Sequence, residues 1–126
     1  MRKLILIVVL LFSITISAQE KQQTFQDFTK AQITERGVTG EWINVKSRIF
    51  FNYGGDENKV KIYIGNLVDT YVIDSMHEDV TVGGFKYLAV FLSSAENKLV
   101  LMQIFEDTNY GIRIFFDANN YVQITN

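Results

Sequence analysis

"KVKIYIGNLVDTYVID", residues 59–74, is the stretch whose reading decides the fold. Lys59, Lys61 and Tyr63 alternate with Val60, Ile62 and Ile64, the two-residue period of a strand with one face buried. Gly65-Asn66 then supplies two residues that tolerate the positive φ of a tight turn. The run is therefore expected to fold back on Val68–Asp74 as an antiparallel hairpin.

The same texture extends outward in both directions. Upstream, Glu41–Lys46 and Arg48–Tyr53 read as strands ending at the Gly54-Gly55-Asp56 tip. Downstream, Phe85–Leu92, Leu99–Phe105, Tyr110–Phe116 and Tyr121–Thr125 are separated by short turns rich in Ser, Asn and Asp. Residues 75–84, SMHEDVTVGG, read as the longest link, with a small strand at Val80–Val82. About eight short strands with brief connections predict an all-β antiparallel meander, either a curved sheet or a partly open small barrel.

Before the meander the pattern is different. Arg2 and Lys3, the apolar run Leu4–Phe12 and the small residues up to Ala18 have the layout of a signal peptide, 1–18. The uncharged run is shorter than the roughly 20 apolar residues of a spanning helix. Export to the periplasm, cell envelope or exterior is expected, with no membrane span after cleavage. Residues 19–39 are polar, with Phe25 and Phe28 spaced for one helical face, Thr24 placed to cap it and Gly37 to end it. One short helix or a flexible leader is expected there, with the meander domain occupying 40–126.

Composition removes several function classes. Loss of Arg2 and Lys3 from 12 basic residues leaves 10 against 14 acidic ones, a net charge of −4. Nucleic acid and anionic lipid, which call for basic clusters, are not expected partners. Without cysteine the chain has no thiolate zinc site, no cysteine nucleophile and no cysteine to carry a lipid. Its glycine pairs join β elements instead of opening helices, so no phosphate loop is offered and no cofactor is expected.

Catalytic candidates are few. His77 is the only histidine; with Asp74, Glu78 and Asp79 it is a weak candidate set for a divalent cation. Ser75, Ser93 and Ser94 lack a nucleophile-type turn, and the carboxylate pairs Asp56/Glu57 and Glu106/Asp107 fall on exposed hairpin tips. A hydrolase centred on His77 ranks last, and no catalytic residue is assigned.

Two strands raise a binding question instead. Leu88, Val90 and Leu92 share one face of their strand, and Val100, Met102 and Ile104 one face of the next, yet the opposite faces are apolar too. A half-solvated strand should be polar outside, so both faces want cover. The N-terminal helix, a second copy, a protein partner or a small apolar ligand would each provide it. These six residues and Trp42 form the candidate ligand or partner face.

Gly40-Glu41-Trp42 resembles the first motif of the lipocalins, a Gly-x-Trp entering the first barrel strand. Thr108-Asn109-Tyr110 stands where that family has a Thr-Asp-Tyr-like turn between its sixth and seventh strands. The resemblance implies a barrel in which Trp42 packs near the closed end as a structural residue. The sequence departs from the family in lacking a helix and an arginine after the last strand, since Arg113 lies inside the seventh. A leader ending in Ala-Gln before a β-rich domain is also similar to exported proteins of unknown function from the Bacteroidota, which transfers no activity. The expected function is a non-catalytic binding module, with an envelope structural or self-assembling protein as the alternative.

Overall fold

The computed structural model describes residues 22–126. In chain order its strands are β1 (Thr24–Glu35), β2 (Val38–Phe51), β3 (Lys59–Ile64), β4 (Leu67–Val80), β5 (Lys86–Ser94), β6 (Leu99–Phe105), β7 (Ile112–Asp117) and β8 (Asn120–Thr125). Each pairs antiparallel with the next, and β1 also pairs with β8, so the sheet closes into an eight-stranded barrel. The Gly65-Asn66 hairpin forms as its residues dictate, with Ile64 opposite Leu67 and Lys59 opposite Val72.

The N-terminal helix is not formed: Thr24–Glu35 is a strand. Closure explains why tertiary structure overrides the helical spacing. Without β1, the facing edges of β2 and β8 would both carry open N–H and C=O groups. β1 pairs with β2 along its length and with β8 from Lys30↔Thr125 to Thr34↔Tyr121. Ala31, fully buried opposite Ile124, lies at the seam. The β domain therefore includes Thr24–Glu35, ahead of the expected start at residue 40, and the expected signal peptide, 1–18, lies outside the described residues.

Two further differences have one cause, irregularities that shift the alternation. Glu41–Lys46 and Arg48–Tyr53 are not separate strands, because β2 runs unbroken from Val38 to Phe51 past a register shift opposite Phe28 and Lys30. The 75–84 link is mostly strand: β4 continues to Val80 beyond a shift in which Ile73 faces Leu92 and Ser75 faces Phe91, leaving Asp74 extra. A bulge of this kind moves every later side chain to the other face, so the simple period ends at Asp74 although the strand does not.

The barrel interior is the core. Ile49, Ile62, Met102, Ile114 and Ile124, from five different strands, are at most 2% exposed. Leu88, Val90, Leu92, Val100, Met102 and Ile104 are all at most 7% exposed and belong to the same buried cluster. Their cover is thus the inside of the chain's own barrel, supplied by the closure that the open-sheet alternative lacks.

At the β6–β7 connection Gly111 has φ +66°, and a Cβ there would sit 1.9 Å from the Ile124 carbonyl oxygen. Only glycine lets this turn press against β8.

Strand lengths are mismatched around β3. β2 and β4 have 14 residues each, while β3 has six. β3 pairs with β2 only over Ser47–Phe51 and with β4 only over Leu67–Val72. Residues 38–46 of β2 and 73–80 of β4 therefore each keep one edge without a strand partner among the described residues. A shorter stretch, 24–28 of β1, likewise reaches past its pairing with β8.

Candidate functional site

A ligand inside a barrel needs space. A side chain with no accessible surface has no water-sized void against it, and that is the condition of Ile49, Met102, Ile114 and Ile124. The interior at these positions is filled by side chains, as expected for a small eight-stranded barrel. Six of the seven residues expected at a ligand or partner face are thus packed core. The seventh, Trp42, is separate from them. It lies opposite Gln32 on the half of β2 that β3 does not reach and is 43% exposed.

The apolar face that remains uncovered is the outer one. Phe91 faces Leu101 and Leu101 faces Phe115, so one outward row crosses β5, β6 and β7. Leu99 and Phe116 flank it, and together they line a groove of about 390 Å³ whose walls also include Asp74 and Asp117. Leu99 is 73% exposed, and Phe91 and Phe116 are exposed as well. Ring contacts stiffen both ends: His77 stacks on Phe91 at 5.4 Å between centroids, and Phe115 meets Tyr121 at 4.5 Å. Hydrogen bonds from the Asn120 side chain, then from the Asn119 backbone, hold the Asp117 carboxyl below its ordinary range and hence ionised.

A second surface cluster lies on the outer face of β1 to β3. Phe50 meets Phe25, Tyr53 and Tyr63 with centroids 5.7–5.9 Å apart. Arg48 lies 4.1 Å from the Phe25 ring centre and donates to both oxygens of Asp27, at 2.6 and 2.8 Å. Lys61 donates to the Tyr53 hydroxyl at 3.0 Å, which together with Tyr63 raises its pKa. A cleft of about 630 Å³ beside this cluster is lined in part by Asp27, Lys46, Arg48, Phe50 and Tyr63. Arg48 and Lys61 are already engaged by neighbours, so the cluster reads as bracing that fixes the β1–β2–β3 register.

The metal and hydrolase candidates are dispersed. Asp74, His77, Glu78 and Asp79 lie on β4 instead of in a loop, and strand alternation sends Glu78 to the face opposite His77 and Asp79. Asp74, at the bulge, accepts a hydrogen bond from the Ser93 hydroxyl at 3.1 Å. No group of three or more potential metal ligands converges among the described residues. Ser94 accepts from the Glu96 and Lys98 backbone N–H groups, closing a turn. None of Ser75, Ser93 and Ser94 is hydrogen-bonded to His77 among the described residues.

No protein-family model, no curated protein and no solved structure matches this chain. The outer groove was legible in part: Phe91, Leu101 and Phe115 each stand out of phase with the core positions of their strands. What the sequence did not show was which of two apolar phases faces inward.

Proposed function

We propose that this chain is an exported, non-catalytic binding module that works from the outside of its barrel. The groove of Phe91, Leu99, Leu101, Phe115 and Phe116 would take an apolar segment of a protein partner. One observation carries this reading: with the interior filled, the most continuous uncovered apolar surface of β5–β7 is this outward row. Contiguous exposed apolar side chains rimmed by charge are characteristic of contact surfaces. Asp74 and Asp117 in its walls favour a segment with a basic residue beside its apolar anchor.

The test is a photo-crosslinking side chain placed at Leu99 and, as control, at Glu57, with the protein expressed in its own host. A discrete adduct at position 99, absent at position 57 and lost on adding Phe116→Asp, is the expected result. Adducts identical at both positions, or none at 99, would refute the assignment. Self-assembly in the envelope is the second reading, and it rests on a different feature, the free edge of β2.

A further inference from the structure

The two long free edges are chemically unlike. Residues 73–80 of β4 carry Asp74, His77, Glu78 and Asp79 and have a bulge at their root. Charges and bulges are the usual devices that keep a strand edge from pairing with another chain. Residues 38–46 of β2 are interrupted as well, by register shifts against β1 between Thr39 and Trp42 and between Asn44 and Ser47, but they carry only one acid, Glu41, and one base, Lys46. They expose Val38 at 73%, Trp42 at 43% and Ile43 at 44%. Ile43 faces the fully buried Ala31 across the β1–β2 ladder, yet it is half exposed because β3 does not extend that far.

We infer that residues 38–46 of β2 form a dimer seam, at which two copies of this chain pair β2 to β2, antiparallel, about a twofold axis. A twofold requires a patch that complements itself. The β2 edge meets that condition, being neutral: antiparallel pairing turns the Glu41 half of one copy toward the Lys46 half of the other. A parallel arrangement would set like charge on like. The β4 edge fails the condition, because a twofold there would set three carboxylates against three. Pairing of β2 with β4 of another copy would be head-to-tail and would not close, and the acidic edge disfavours it. Nine residues span about 30 Å, with Trp42–Asn44 as the regular stretch between the two register shifts. An added strand alone buries less than the roughly 1,200 Å² of a stable interface, so the dimer should dissociate in the micromolar range.

The Gly65-Asn66 turn abuts the end of this seam, where Gly65 N–H donates to the Lys46 carbonyl at 3.1 Å. Exposed Leu67 follows directly on that turn. The seam is separate from the β5–β7 groove, so a dimer would present two grooves and bind a repeated partner with avidity.

The experiment is sedimentation velocity on the full protein as its host exports it, across a dilution series, with amide exchange read at two concentrations. A dimer is expected whose dissociation constant rises about tenfold or more with Trp42→Lys, because residue 42 is the centre of 38–46 and like charges would meet there across the twofold axis. Leu99→Lys should leave it unchanged, and amides of 38–46 should exchange more slowly at high concentration. Three results overturn the inference: a monomer at about 100 µM, a concentration well above a micromolar dissociation constant; a dimer indifferent to Trp42→Lys; or concentration-independent protection of 38–46. A dimer lost only with Leu99→Lys also overturns it and moves self-association to the groove. The crosslinking result at position 99 stands or falls independently of all of these.

Discussion

The overhanging ends of β2 and β4 arise from one mismatch and are finished in opposite ways. Each is the surplus of a 14-residue strand beside the six-residue β3. In β4 the surplus is acidic and bulged, so its open backbone is guarded. In β2 it is interrupted by two register shifts but is neutral and apolar, so no net charge repels a second strand. An edge left uncharged in the same molecule that charges another is best explained by use, since the sequence supplies charge where pairing is unwanted.

The largest expected effect comes from erasing that difference. Glu78→Thr combined with Asp79→Val should leave β4 with a second bare edge, able to accept β2 of another copy head to tail. Closed dimers would then give way to open-ended association, read as rising light scattering and loss of most soluble protein at concentrations where the parent stays clear. If the double variant remains as soluble as the parent, charge is not what protects the β4 edge, and the contrast between the two edges loses its meaning.

Next in size is a comparison of either overhang with the closed part of the barrel. Met102 is fully buried at a position with partners on both sides, opposite Val90 and Ile114. Met102→Ala should cost about 2–5 kcal/mol in denaturant unfolding. Ile43→Ala removes a similar side chain from a half-exposed site on the overhang and should cost under about 1 kcal/mol. Equal losses would mean that the β2 edge is covered in the folded protein, and that residues 38–46 are not free to receive a second copy.

Much of this architecture was legible where local and global demands coincide. Lys59–Ile64 keeps a steady two-residue period, and it, the Gly65-Asn66 turn and the strands set apart by Ser-, Asn- and Asp-rich turns formed as those local signals dictate. The errors fall where the period breaks or is ambiguous. Asp74 is an extra residue that resets the alternation, so the second half of β4 looks like a loop. Phe25 and Phe28 suit a helix, and only the need to close β2 onto β8 makes that segment a strand. For β5 and β6 the sequence offers two apolar faces, and the choice of the inner one depends on barrel closure, which no local pattern encodes. Leu88, Val90, Leu92, Val100, Met102 and Ile104 were apolar enough to meet a ligand or partner and are instead the core.

The smallest expected effect lies at the root of the β2 overhang. Asp27 and Arg48 sit opposite each other across β1 and β2, just before the register shift at Phe28 and Lys30, and their bidentate pair clamps the strands where β3 still covers β2. At the corresponding place the β4 overhang has neutral hydrogen-bond donors instead of an arginine, the Ser93 hydroxyl on Asp74 and the Ile73 N–H on the Asn58 carbonyl. The Arg48 hydrogen bonds, more than its charge at a distance, draw the Asp27 carboxyl below its ordinary value of 3.8. A folded-state value lowered in this way contributes stability that is fully present above 3.8 and is lost as pH falls through the lower, folded value. Because both groups are exposed, solvent and salt screen the pair, and its contribution is small. Asp27→Asn should therefore leave stability at neutral pH almost unchanged, flatten its decline on the acid side, and speed amide exchange in β1 and the start of β2 more than in β4 or β5. A uniform change across all four strands would mean that the pair contributes only to the general charge balance and does not hold the seam strand in register.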